Sequence, residues 1–150
     1  MKIALACDHG GLTLKNVIIA YLKENGYAFE DFGTMTADSC DYPDFALAAA
    51  ESVAKEECER GIIICTTGIG VSIVANKVPG VRCALCTDTT CARLTREHNN
   101  SNMLALGCGI VGTHLALEIV KTFLETPFSE AERHQRRIDK ITAIEKKYNK

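Results

Sequence analysis

Three short stretches set reactive side chains beside glycine or a helix end: Cys65-Thr66-Thr67-Gly68-Ile69-Gly70-Val71-Ser72, Cys7-Asp8-His9-Gly10-Gly11 and Thr95-Arg96-Glu97-His98-Asn99-Asn100. In the first, a thiol stands just before a helical pattern, where backbone N–H groups lack partners. Such a thiol suits a nucleophile or a general base, and Gly68 and Gly70 let those N–H groups approach a developing oxyanion. A tyrosine-phosphatase loop would need Arg six residues after the Cys, but that position is Val71. Neither GxGxxG nor GxxxxGK[ST] occurs, so nucleotide phosphate loops also fail. In the second stretch, Asp8 and His9 are held at a Gly-rich turn ahead of a helix start, which favours anions. The same pair also reads as a helix cap and an exposed loop histidine. In the third, His98 closes a helix just before an apolar strand. On spacing alone it is equally a surface histidine. His114, inside an apolar helical pattern, is read as structural.

Cys83-x-x-Cys86 matches a redox or metal spacing, but it lies in Val81-Arg82-Cys83-Ala84-Leu85-Cys86, which reads as a strand. Residues three apart on a strand face opposite sides, so two buried thiols are expected. No second CxxC and no zinc-finger histidine spacing follow, and no metal is expected.

These residues need elements to hold them. Apolar runs at 3–7, 27–32, 61–65, 81–86 and 103–106 alternate with helical patterns at 12–25, 44–57, 69–77, 89–97 and 113–125. Continuous apolar strands alternating with helices imply a parallel sheet covered on both faces. The expectation is one three-layer α/β/α, Rossmann-like domain over 1–150 with a five-stranded parallel sheet. In that architecture ligands bind at the carboxyl ends of the strands, where Cys7-Asp8-His9 and Cys65-Thr66 fall.

The 17 basic and 19 acidic side chains give a formal charge of −2, which argues against a nucleic-acid partner. No apolar run approaches a membrane span, and the apolar start ends at Asp8-His9, too short for a signal peptide. A cytoplasmic location without a disulfide framework is therefore expected for the eight cysteines. Charge is unevenly placed: residues 1–129 carry a net −5 and residues 130–150 a net +3. On the final helical pattern, about 130–148, Ile138, Ile141, Ile144 and Tyr148 form one stripe. Arg133, Arg137 and Lys140 form another. Such a basic stripe is either solvated surface or the seat of something anionic.

Together these stretches resemble the type B ribose-5-phosphate isomerase family, which also contains allose-6-phosphate isomerases and galactose-6-phosphate isomerase subunits. The resemblance rests on Cys7-Asp8-His9-Gly10-Gly11, Asp31-Phe32-Gly33-Thr34, Asp41-Tyr42-Pro43-Asp44, Ile64-Cys65-Thr66-Thr67-Gly68-Ile69-Gly70, Ala75-Asn76-Lys77-Val78-Pro79-Gly80-Val81-Arg82, Thr95-Arg96-Glu97-His98-Asn99 and Arg133-His134. It implies a cofactor-free aldose–ketose isomerase acting through a cis-enediolate. It also implies a homodimer, or a dimer of dimers, whose sites are completed by the partner subunit, with the C-terminal helix packing across that interface.

By that resemblance Cys65 is the base. The N–H groups of Thr66, Gly68 and Gly70 hold the enediolate oxygen, and His98, from the partner chain and assisted by Thr67, opens the sugar ring. Asp8, Tyr42 and Asn99 bind hydroxyls, while His9, Arg133 and Arg137 bind phosphate. The sequence departs from the family at two positions. Thr66 stands where the family usually has Gly, and Gly109 where many relatives have a phosphate-binding Arg, a loss that Arg136 would offset. The substrate implied is ribose 5-phosphate, with a six-carbon aldose phosphate as the alternative. A non-catalytic sugar-phosphate binding subunit and a thiol-redox protein are the competing classes.

Overall fold

The computed structural model describes residues 1–148. Five strands, β1 (Lys2–Cys7), β2 (Ala28–Asp31), β3 (Arg60–Cys65), β4 (Cys83–Leu85) and β5 (Met103–Gly107), form one parallel sheet in the order β2-β1-β3-β5-β4. The helices are α1 (Leu12–Glu24), α2 (Tyr42–Ala54), α3 (Ile69–Ala75), α4 (Thr89–Asn99), α5 (Thr113–Glu125) and α6 (Glu132–Tyr148). A short 3-10 turn, His9–Gly11, links β1 to α1.

The apolar strand runs place the core on both faces. Ile62 and Ile64 of β3 pack with Leu14, Ile18 and Leu22 of α1, Ala92 of α4 and Ile119, Val120 and Phe123 of α5. Ile63 and Cys65 pack on the other face with Ala46, Ala49 and Ala50 of α2 and Val71 and Ala75 of α3. The alternation of side chains along β3 thus puts Cys65 beneath α2 and α3. The small residues of α2 let that helix lie close to the sheet.

Several boundaries differ from the sequence pattern by one to three residues, and two have a clear cause. The second helix starts two residues earlier, at Tyr42 with Pro43 in its first turn, and stops at Ala54 because Glu56 adopts φ +60°. The fourth strand is only Cys83–Leu85, since Asn102 Oδ1 takes the Arg82 N–H. Cys83 and Cys86 do face opposite layers, and burial pushes the Cys86 thiol up to about 12. His114 is exposed and pairs with Glu118 at 3.4 Å rather than entering the core. No helix among the described residues is long and apolar enough to cross a membrane.

Candidate active site

The sheet order reverses at β1 and β3, and the crevice at their carboxyl ends holds the first cluster of candidate residues. Cys7 pairs with Ile64 and Cys65 with Gly107, so the chain segments leaving β1, β3 and β5 emerge side by side. Cys65 is 6% exposed, and its Sγ accepts the Gly68 N–H at 3.1 Å. That donor is placed to hold negative charge on sulfur. The family resemblance gives the Gly68 N–H to the enediolate oxygen; in this structure that N–H points at the Cys65 sulfur. Gly68 makes the geometry possible, with φ +76°: a Cβ there would lie 2.5 Å from Leu85 Cδ1 and 2.8 Å from the Leu106 carbonyl carbon.

The neighbouring groups are placed by equally local causes. Thr67 Oγ1 accepts the Ile69 N–H at 3.3 Å, which leaves its own proton free to donate. The Tyr42 ring lies directly over Gly70, where a Cβ would come within 2.7 Å of Cζ. Thr66 is exposed in the crevice, with Oγ1 against Gly10 and Cγ2 against Gly109. Asp8 is buried and its Oδ1 accepts the Gly11 N–H at 3.1 Å, so it caps the turn while lining the crevice. The helix-cap reading of Asp8 therefore holds. His9 is exposed, and its Nδ1 accepts the Cys40 N–H at 3.2 Å.

Two other thiols stand close by. Burial pushes Cys7 up to about 12 despite the Lys15 charge, and burial followed by Asp8 and Cys65 raises Cys108, whose Sγ donates to the Gly10 carbonyl at 3.1 Å. Both are protonated near neutrality.

The second cluster lies at the opposite end of the sheet. α4 runs back from the end of β4 to the start of β5, so its length of about 15 Å separates His98 and Asn99 from Cys65. The Asn99 carbonyl accepts from Arg82 Nε just ahead of β4, at 2.9 Å. The beginning of α6 packs here too: the Ser129 N–H donates to the Glu97 carbonyl, and the His134 ring lies 4.2 Å from that of His98. Arg133, Arg136 and Arg137 are exposed, and among the described residues none is paired with a carboxylate. One chain thus assembles Cys65, Thr66, Thr67, Gly68, Gly70, Asp8, His9 and Tyr42 at one end, and His98, Asn99, Arg133 and Arg137 at the other.

Sequence reasoning missed the supports. Arg96 is 1% exposed and donates to the carbonyls of Ser101 and Thr126 and to Asn100 Oδ1, which fixes the left-handed Asn100 that ends α4. Lys15, fully buried, pairs with Asp31 at 2.7 Å and donates to the Thr34 carbonyl at 2.8 Å, anchoring the loop that brings Cys40 to His9. A lone Lys or Arg within a helix gives no sequence signal of such burial.

Residues 3–141 match the ribose/galactose isomerase family. The chain belongs to that family. This family member is 45% identical over 148 residues to ribose-5-phosphate isomerase B of Escherichia coli, covering 99% of each chain. Its structure is similar to that of Clostridium thermocellum ribose-5-phosphate isomerase B, with TM-score 0.97 and 55% identity over 99% of each chain. The Mycoplasma genitalium ribose-5-phosphate isomerase B with bound ribulose-5-phosphate gives TM-score 0.93 and 44% identity, covering 97% of this chain and 96% of that one. The α/β architecture and the resemblance to type B enzymes both hold, so the isomerase class stands.

Proposed function

We propose that this isomerase interconverts ribose 5-phosphate and ribulose 5-phosphate, with Cys65 as the base and each site completed by a second copy of the chain. The observation that carries the reading is the Cys65 sulfur, buried at a strand end with the Gly68 N–H 3.1 Å away and open crevice residues beside it. The relative with bound ribulose-5-phosphate supports the pentose phosphate as substrate.

In the forward direction the thiolate removes the proton on C2 of the open-chain aldose. Electrons move onto the carbonyl oxygen to give the enediolate, held by the Thr66 and Gly70 N–H groups. The proton then returns to C1, while the hydroxyl proton on O2 passes to O1 and leaves a ketone at C2. The proton moves between adjacent carbons through one positioned base, so no cofactor is needed. Thr67 assists His98 in opening the furanose. Asp8, Tyr42 and Asn99 bind hydroxyls, and His9, Arg133 and Arg137 bind the phosphate.

The separation of the two clusters supports a site shared between two copies. Ile69, Ile73, Leu85 and Ile110 are exposed around the Cys65 crevice, and Ile141 and Ile144 along α6, which is the kind of surface a second copy covers.

Ketose formation from ribose 5-phosphate and from allose 6-phosphate, with Cys65→Ala as control, tests the reading. Pentose phosphate turnover that vanishes in the variant, with substrate binding nearly intact, is the expected result. Substantial residual isomerisation would sink the base assignment, and faster allose 6-phosphate turnover would overturn the substrate.

A further inference from the structure

His98 has a neighbour whose chemistry the proposed reaction leaves unused. His134, on α6 between Arg133 and Arg137, sets its ring against that of His98 with centroids 4.2 Å apart and planes inclined at 40°. It is 4% exposed, and its Nδ1 lies 2.8 Å from Ser129 Oγ. Ser129 is in turn tied to α4 through the Glu97 carbonyl at 3.2 Å. His134 is therefore fixed from two sides. Among the described residues the His98 ring makes no hydrogen bond, and the His134 ring lies against it on the last turn of α4.

We propose that His134 is a positioning residue for His98: held by Ser129, it fixes the imidazole that opens the sugar ring and couples it to the turn of α6 that carries Arg133 and Arg137. This rests on the role given to His98 under the proposed function. A group that transfers a proton must be held within hydrogen-bond reach in one orientation, and a freely rotating imidazole is held poorly. The groups facing His134 are His98 and the Glu97 carbonyl on α4, Ser129 in the connection, and Arg133 and Arg137 on α6 itself. Burial, then the His98 charge and the two arginines, hold the His134 imidazole below its usual range. A neutral ring tolerates a protonated His98 against it, whereas a second imidazolium would repel it. Because Arg133 and Arg137 flank His134 on one helical turn, seating the phosphate and orienting His98 become a single event.

The test compares the two directions of the reaction. Ribose 5-phosphate enters as a closed ring. Ribulose 5-phosphate has no hydroxyl free to close a five-membered ring on its C2 carbonyl and enters open-chain. His134→Ala is expected to lower kcat on ribose 5-phosphate about tenfold or more and on ribulose 5-phosphate by less than about twofold. His134→Phe, which restores an aromatic face, should recover part of the loss. Where thermal melting shows that His134→Ala does not fold, Ser129→Ala replaces it, with a smaller loss confined to ribose 5-phosphate. Equal losses on both substrates, no loss, or no recovery by Phe would overturn the proposal. Absence of turnover in the unmodified protein would remove the functional reading itself, and it is seen before any variant is made.

Discussion

The two departures from the family pattern are one local arrangement. Thr66 and Gly109 are neighbours: the Gly109 N–H donates to the Thr66 carbonyl at 2.9 Å, and a Cβ at 109 would stand 3.1 Å from that oxygen and 3.2 Å from Thr66 Cγ2. The extra methyl of Thr66 fits because position 109 carries no side chain. Restoring Arg at 109 alone therefore crowds Thr66, while removing the methyl makes room. Contacting residues are expected to couple by roughly 0.5–3 kcal/mol. The double variant Thr66→Gly/Gly109→Arg should thus lower KM for ribose 5-phosphate more than the two single changes together. Simple additivity in that cycle would mean that the two positions act independently. Neither neighbour lies close to the other in sequence, and only the side-by-side exit of β3 and β5 joins them.

At the scale of elements, α4 carries His98 and so its ends bear on the site. Its start is capped by Asp88, whose carboxylate accepts the Cys91 N–H at 2.8 Å and is held below the usual carboxylate range by that bond. Because the native carboxyl binds its proton less readily than the unfolded one, the cap contributes stability above the unfolded value and loses it as pH falls through the lower native value. Asp88→Ala should therefore lower Tm at neutral pH, with the deficit shrinking below about pH 4. A deficit that stays constant across that range would show that the charge is not what stabilises the helix. The other end of the helix was not legible, because the buried Arg96 that fixes Asn100 has no signature distinct from an exposed helical arginine.

For the molecule as a whole, the proposed function requires the two clusters, which lie at opposite ends of the sheet, to meet between two copies of the chain. An acidic body and a basic C-terminal helix on each copy are complementary, and exposed apolar residues flank both clusters. Mixing Cys65→Ala with His98→Asn, each deficient alone on ribose 5-phosphate, tests this directly. In a dimer with shared sites, one site of each mixed pair carries both changes and the other carries neither. Exchange of subunits should restore activity to about one quarter of the sites. No recovery, with mixed pairs confirmed by mass spectrometry, would place the whole site in one chain.

The local elements were readable without any structure. Periodicity gave the strands and helices, the strand-end rule placed Cys65 and Asp8 in one crevice, and the spacing of Cys83 and Cys86 set them on opposite faces. These follow from forces that act over a few residues: backbone periodicity, helix starts and the alternation of a strand. The rest depended on residues distant in the chain. The run of α4 back from the end of β4 to the start of β5 set His98 at the opposite end from Cys65, and the packing of α6 on α4 brought His134 onto His98. The approach of two strand-end loops made room for Thr66 beside Gly10 and Gly109. Such contacts are set by how layers pack, and no local pattern encodes the distance between two segments that meet only when the sheet has formed.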